Sequence, residues 1–173
     1  MNRAVFLDRD GTLVVDTSFL ENIELLPGAA EAVRLLNKND FLTIVVTNQP
    51  GVDESTISKI NFKIQRDLQH KGAYLDEIYF CPHQRDGGCE CRKPKPGLVL
   101  RAMEKYDIDL NRSFVIGDRL CDIELGKNIG ARTILVGSSA RKKGEIPGPT
   151  FESSNILEAV KVILKVTRRG KGG

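Results

Sequence analysis

Ala4-Val5-Phe6-Leu7-Asp8-Arg9-Asp10-Gly11-Thr12 is the stretch that decides the fold: an apolar run, two carboxylates one residue apart, then glycine and threonine. A short apolar run closed by a turn signal has the pattern of a strand buried on both faces, as in a parallel sheet. Side chains alternate along an extended chain, so Asp8 and Asp10 leave the strand on the same side. Two like charges held together repel, more so when buried. A cation resolves the conflict, and carboxylate oxygens suit Mg²⁺. The competing reading is an ordinary acidic turn, and the other motifs of the chain argue against it.

Outward from this strand, extended and helical patterns alternate. Strands are predicted at 4–8, 41–47, 75–80, 113–117 and 133–136, and helices at 29–38, 54–71, 96–106, 120–129 and 155–166. Ile57, Ile60, Ile64 and Leu68 share one helical face, and Ser153-Ser154-Asn155 is an N-cap cluster for the last helix. Strands separated by helices imply βαβ units. The expected fold is therefore α/β: a doubly wound, Rossmann-like, mostly parallel sheet without a large cap domain. Ligands in such sheets sit beyond the carboxyl ends of the strands. The polar motifs fall there: Asp8 and Asp10, then Thr47-Asn48-Gln49, then Cys81-Pro82-His83, then Gly117-Asp118-Arg119.

The chain has 173 residues, 40% hydrophobic and 28% charged, which fits one globular domain over 1–167. Net charge is +3, and Arg168, Arg169 and Lys171 lie in a tail, 168–173, expected to be flexible and basic. The near-neutral body argues against a nucleic-acid partner. No stretch approaches the roughly 18 apolar residues of a membrane span, so a membrane partner is not expected. The expectation is a cytoplasmic monomer with a small-molecule partner.

Phosphoryl transfer needs a nucleophile, a proton donor, a cation and fixed donors for the phosphate oxygens. Asp8 can attack phosphorus and Asp10 can exchange protons with the leaving oxygen and with water. Thr47 offers a hydroxyl, though it can equally cap a turn. Lys93 offers a compact cation, though taken alone a lysine is usually solvated. Asp118 ends an apolar strand and supplies a third carboxylate for Mg²⁺. Asp122 is balanced between favourable placement at a helix N-terminus and a supporting role at the metal.

Cys81-x-His83-x5-Cys89-x-Cys91 places three thiols and an imidazole in one loop. That set matches a closed tetrahedral Zn²⁺ site, and with no ligand to spare the zinc reads as structural. Cys121 lies outside the cluster and reads as a packed thiol.

Together, Asp8-Arg9-Asp10-Gly11-Thr12, Thr47-Asn48-Gln49, Lys93 and Gly117-Asp118-x3-Asp122 resemble the haloacid dehalogenase superfamily of phosphatases. The zinc loop, with Cys89-Glu90-Cys91-Arg92-Lys93-Pro94, looks like the D-glycero-D-manno-heptose-1,7-bisphosphate 7-phosphatases, and histidinol-phosphate phosphatases are similar. A nucleic-acid end phosphatase shares the acid motif but does not usually carry this loop. The resemblance implies Mg²⁺ held by Asp8, Asp10 and Asp118, an aspartyl-phosphate on Asp8, and Asp10 as general acid/base. Thr47 and Lys93 would hold the phosphoryl group. Asp16, Thr17, Ser18, Phe19, Asn48, Gln49, Pro50, Arg92 and Arg119 would meet the substrate. One departure stands out. After Thr47-Asn48-Gln49 the heptose enzymes usually carry an Arg-Gly pair, whereas this chain continues Pro50-Gly51-Val52-Asp53-Glu54. Positive charge at the entrance is therefore expected to be reduced.

Overall fold

The structure is a computed structural model and describes residues 1–15, 22–137 and 148–169. The strands are β1 (Arg3–Leu7), β2 (Phe41–Asn48), β3 (Glu77–Cys81), β4 (Phe114–Gly117), β5 (Arg132–Val136) and β6 (Phe151–Ser153). The helices are α1 (Ala29–Lys38), α2 (Glu54–Gln69), α3 (Gly97–Lys105), α4 (Leu120–Ile129) and α5 (Ile156–Arg169). The sheet order is β3-β2-β1-β4-β5-β6, and every pairing is parallel. The chain builds outward from β1 to β3, then returns to the other side of β1 with β4. The reversal lies between β1 and β4, where ligand crevices form in such sheets.

Alternation along β1 divides the core between the two faces. Val5 and Leu7 pack in one cluster with Val33 and Leu36 of α1, Ile60 and Ile64 of α2, and Val160 and Ile163 of α5. Ala4 and Phe6 pack in the other with Leu98 and Val99 of α3 and Leu125 of α4. Both faces of the strand are covered, which is why its sequence is a continuous apolar run rather than an alternating one.

The expected elements are present, with differences that have local causes. β3 starts at Glu77 because the Gln65 side chain takes over the backbone of Leu75, accepting from its N–H at 3.0 Å and donating to its carbonyl at 2.9 Å. Asn155 caps α5 as expected, accepting from the Glu158 N–H at 3.0 Å. That helix runs on to Arg169, two residues into the segment expected to be a tail; basic residues suit the negative end of a helix dipole. β6 was not foreseen. It is a three-residue edge strand, too short for periodicity to reveal. No helix of the described residues is long and apolar enough to cross a membrane.

Candidate active site

Asp8 follows β1 and extends its ladder to β4, its N–H donating to the Ile116 carbonyl at 2.9 Å. The chain then turns at Gly11, where φ is +79° and a Cβ would lie 2.4 Å from Asp118 Oδ2. Gly117 ends β4 equally close to Asp122, with 2.2 Å from a Cβ to its carboxylate. Glycine at these positions lets backbone and carboxylates crowd into one crevice.

Lys93 enters that crevice from the loop after β3. Its ammonium donates to Asp8 Oδ1 at 2.8 Å and to Asp122 Oδ1 at 2.6 Å, and the side chain is 2% exposed. Burial alone would lower its pKa; the charges of Asp8 and Asp122 outweigh this and hold it well above the usual lysine range. Asn48, at the end of β2, fixes the lysine's backbone from both sides. Its amide donates to the Lys93 carbonyl at 3.3 Å and its oxygen accepts from the Lys93 N–H at 3.0 Å.

Carboxylate oxygens of Asp8, Asp118 and Asp122 lie within 4.8 Å of one another. Lys93 pairs with two of these carboxylates, and Arg119 Nε lies 4.0 Å from Oδ1 of the third, Asp118. Burial and the charge of Asp8 push Asp118 up to about 6. Burial pushes Asp122 up to about 7, against the pull of Lys93. Asp118 Oδ1 is buried without a hydrogen-bond partner. An excess of hard, crowded oxygens with one unused is a donor set that fits a divalent cation such as Mg²⁺.

Asp10 is the other ligand expected beside Asp8 and Asp118. Its carboxylate is gripped by Arg9, at 2.8 Å from Nε and 3.0 Å from Nη2. Arg9 is 1% exposed, and a buried guanidinium needs a counter-ion. The third carboxylate of the close group is Asp122, which also accepts from the Arg119 N–H at 3.2 Å at the start of α4. Both roles considered for Asp122 are thus geometrically open to it.

Asp8, Asp10, Thr47, Asn48, Lys93, Arg119 and Cys121 line a recess of about 30 Å³. Cys121 thereby borders the site, its thiol pushed up to about 11 by burial and then by the charge of Asp122. Thr47 is buried and donates to Gln49 Oε1 at 2.8 Å, so Gln49 orients the threonine. The recess adjoins a cleft of about 600 Å³, with Asn48, Lys93, Arg119 and Cys121 common to both. Pro50, Arg85, Arg92, Lys95 and Glu124 also border the cleft.

The cleft nevertheless carries positive charge. The cations come from the cysteine-rich loop and from Arg119. Asp53 caps α2, accepting from the Thr56 N–H at 2.9 Å and from its hydroxyl at 2.6 Å, and Glu54 borders a different depression. Arg92 donates to the His83 carbonyl at 3.0 Å, which ties it to that loop. Asp16, Thr17, Ser18 and Phe19 lie outside the described residues.

Cys81, His83, Cys89 and Cys91 come together at the end of β3. Cys81 Sγ lies 3.5 Å from His83 Nδ1, 3.6 Å from Cys89 Sγ and 3.2 Å from Cys91 Sγ, and His83 Nδ1 lies 3.2 Å from Cys91 Sγ. Tetrahedral zinc, with Zn–S of about 2.3 Å and Zn–N of about 2.0 Å, sets S···S at about 3.8 Å and S···N at about 3.5 Å. The group is thus close to the size that ion requires. Burial tends to raise the Cys89 thiol, but hydrogen bonds from the Arg92 backbone and neighbouring thiols bring it down to about 7. Burial and the adjacent thiols push Cys91 up to about 12.

Comparison with known proteins agrees with this geometry. Residues 90–162 match the HAD-hydrolase-like family model. The chain is 38% identical to the D-glycero-beta-D-manno-heptose-1,7-bisphosphate 7-phosphatase of Pasteurella multocida, over 79% of this chain and 82% of that one. It is 34% identical to the D-glycero-alpha-D-manno-heptose-1,7-bisphosphate 7-phosphatase of Campylobacter jejuni, over 83% and 87%. The crystal structure of D,D-heptose 1,7-bisphosphate phosphatase from B. bronchiseptica, complexed with magnesium and phosphate, superposes with a TM-score of 0.87. The identity is 30%, with coverage of 95% of this chain and 99% of that one.

The chain belongs to the haloacid dehalogenase (HAD)-like phosphatases.

In this HAD-like phosphatase the supports of the site were harder to foresee than its acids. Arg9 sits between two aspartates at a strand end, where alternation turns it to the opposite side and into the interior. That alternation was the available signal. Asn48 and Gln49 gave none, since a polar residue after a strand reads equally well as a substrate contact. Asn48→Ala removes both hydrogen bonds that position Lys93. It should lower kcat by roughly tenfold to a hundredfold, the effect of small misplacements of catalytic groups. Metal content measured by elemental analysis should stay unchanged.

Proposed function

We infer that this phosphatase removes the C7 phosphate of D-glycero-D-manno-heptose 1,7-bisphosphate through an aspartyl-phosphate on Asp8. The observation that carries the reading is a buried acid–lysine recess opening into a cleft bordered by Arg85, Arg92, Lys95 and Arg119, with Glu124 as the acidic side chain on the same wall. Relatives of both anomeric names support a heptose bisphosphate without choosing between anomers.

The substrate's reacting phosphoryl group enters the recess. A carboxylate oxygen of Asp8 attacks phosphorus as the bond to the C7 oxygen breaks. Asp10, protonated for this step and turned from Arg9 to the leaving group, gives that oxygen its proton. Asp10 then takes a proton from the water that attacks the aspartyl-phosphate, freeing inorganic phosphate and restoring Asp8. Lys93 and Thr47 hold the equatorial oxygens in both steps. Mg²⁺ would be held by Asp8 and Asp118, with Asp122 and Asp10 at the same crevice, and it supplies charge neutralisation as the anionic carboxylate approaches the anionic phosphate.

Side-by-side kinetics test the assignment. kcat/KM for the heptose bisphosphate should exceed that for histidinol phosphate by at least about tenfold, because the amine of histidinol meets a cationic cleft. Asp8→Asn should reduce turnover by more than about a thousandfold, on the scale of covalent catalysis. Preference for histidinol phosphate would overturn the substrate, and activity of Asp8→Asn within about tenfold of wild type would overturn the role of Asp8.

The four-residue soft-ligand group is read as a structural Zn²⁺ site. Zinc should be present at about one per chain and absent from Cys89→Ser. Thiols must lose their protons to ligate, so zinc affinity should fall as pH falls, and binding should release protons. Stripping the metal should lower activity, since Arg92 and Lys93 directly follow Cys91. Undiminished activity in zinc-free protein would sever that link.

A further inference from the structure

We propose that Arg85 binds the phosphate that the enzyme leaves on its substrate and so sets the preference for a bisphosphate; this rests on the heptose-bisphosphate reading above. On that reading the recess, about 30 Å³ in volume, takes the reacting phosphoryl group, and Lys93 serves that group. A second anionic group on the same molecule therefore lies in the adjoining cleft, whose outer wall carries Arg85, Arg92 and Lys95.

Those cations are not equally available. Lys95 is paired with Glu90 at 2.8 Å. Arg92 already donates to the His83 carbonyl. Arg119 belongs to the inner wall common to recess and cleft, 4.0 Å from Asp118 Oδ1. Arg85 has no hydrogen-bond or ion-pair partner among the described residues. Its guanidinium can meet an anion without first breaking a contact, and its planar fork matches phosphate oxygens two at a time.

Its placement is also built. The Gly87 N–H donates to the Gln84 carbonyl at 3.1 Å, closing a tight turn with Arg85 and Asp86 at its tip. That turn hangs between His83 and Cys89, two members of the soft-ligand group, so both of its ends are anchored when a metal is held. Asp86 does not border the cleft. The loop thus presents its cation, and not its acid, to the substrate.

The test compares wild type, Arg85→Glu and Arg85→Lys on three substrates. These are the heptose 1,7-bisphosphate, the heptose 7-phosphate, which has the same reacting group without the second phosphate, and a small aryl phosphate. Arg85→Glu should raise KM for the bisphosphate by about tenfold to a hundredfold, the size expected for loss of charge-assisted hydrogen bonds. kcat should be little changed, and both monophosphates should stay within about twofold. Arg85→Lys should recover most of the loss. If wild type prefers the bisphosphate and Arg85→Glu leaves its KM unmoved, Arg85 is not the subsite. An equal loss on all three substrates would make Arg85 a structural residue and also overturn the proposal. If wild type treats the bisphosphate and the 7-phosphate alike, the substrate reading itself falls, and this inference falls with it.

Discussion

The ammonium of Lys93 between Asp8 and Asp122 is the contact that organises the crevice. Taking three charges out of water costs several kcal/mol per ion unless the geometry is good and the remaining lone pairs are satisfied. That condition draws three segments to one point: the end of β1, the start of α4 and the loop after β3. The glycines at 11 and 117 permit the approach, because a Cβ at either would collide with a carboxylate. The constraint also leaves a surplus of negative charge, since Asp118 stands beside Asp8 with one oxygen unused. A divalent cation such as Mg²⁺ would offset that surplus.

Lys93 is held by its neighbours in sequence as much as by its ion pairs. Cys91 lies two residues before it and belongs to the soft-ligand group, and Asn48 locks its peptide unit to the end of β2. On the proposed reading, the loop that would bind zinc serves two ends of the substrate. Its C-terminal part delivers Lys93 to the reacting phosphoryl group, and its turn presents Arg85 to the outer cleft. A metal clamp there would fix a loop that has little hydrophobic core of its own, and with it the cations it carries.

The parts of this design that obey short-range rules were legible in the sequence. The buried run of β1, the acids leaving it, the alternation of strands and helices, and four soft ligands in one loop each announce themselves by spacing. What stayed hidden depends on partners distant in sequence or on residues with two plausible uses. β6 exists because β5 offers it a ladder, not because Phe151–Ser153 has a pattern of its own. Asp53 and Glu54 look like a loss of substrate-binding charge until one is found capping a helix and the other facing elsewhere. Asn48 and Gln49 turn inward to Lys93 and Thr47. Asp10 pairs with the arginine beside it, a choice set by the burial of Arg9 that no local pattern encodes.

If Asp8, which lines the recess beside Lys93, is the nucleophile, it becomes phosphorylated during turnover. Acid quenching of the enzyme during steady-state hydrolysis, followed by peptide mass spectrometry, tests it directly, because acyl phosphates persist best in acid. A phosphoryl adduct should be confined to the peptide that carries Asp8, enriched in Asp10→Asn, where hydrolysis of the adduct is slowed, and absent from Asp8→Asn. An adduct on another residue, or normal turnover by Asp8→Asn, would contradict it.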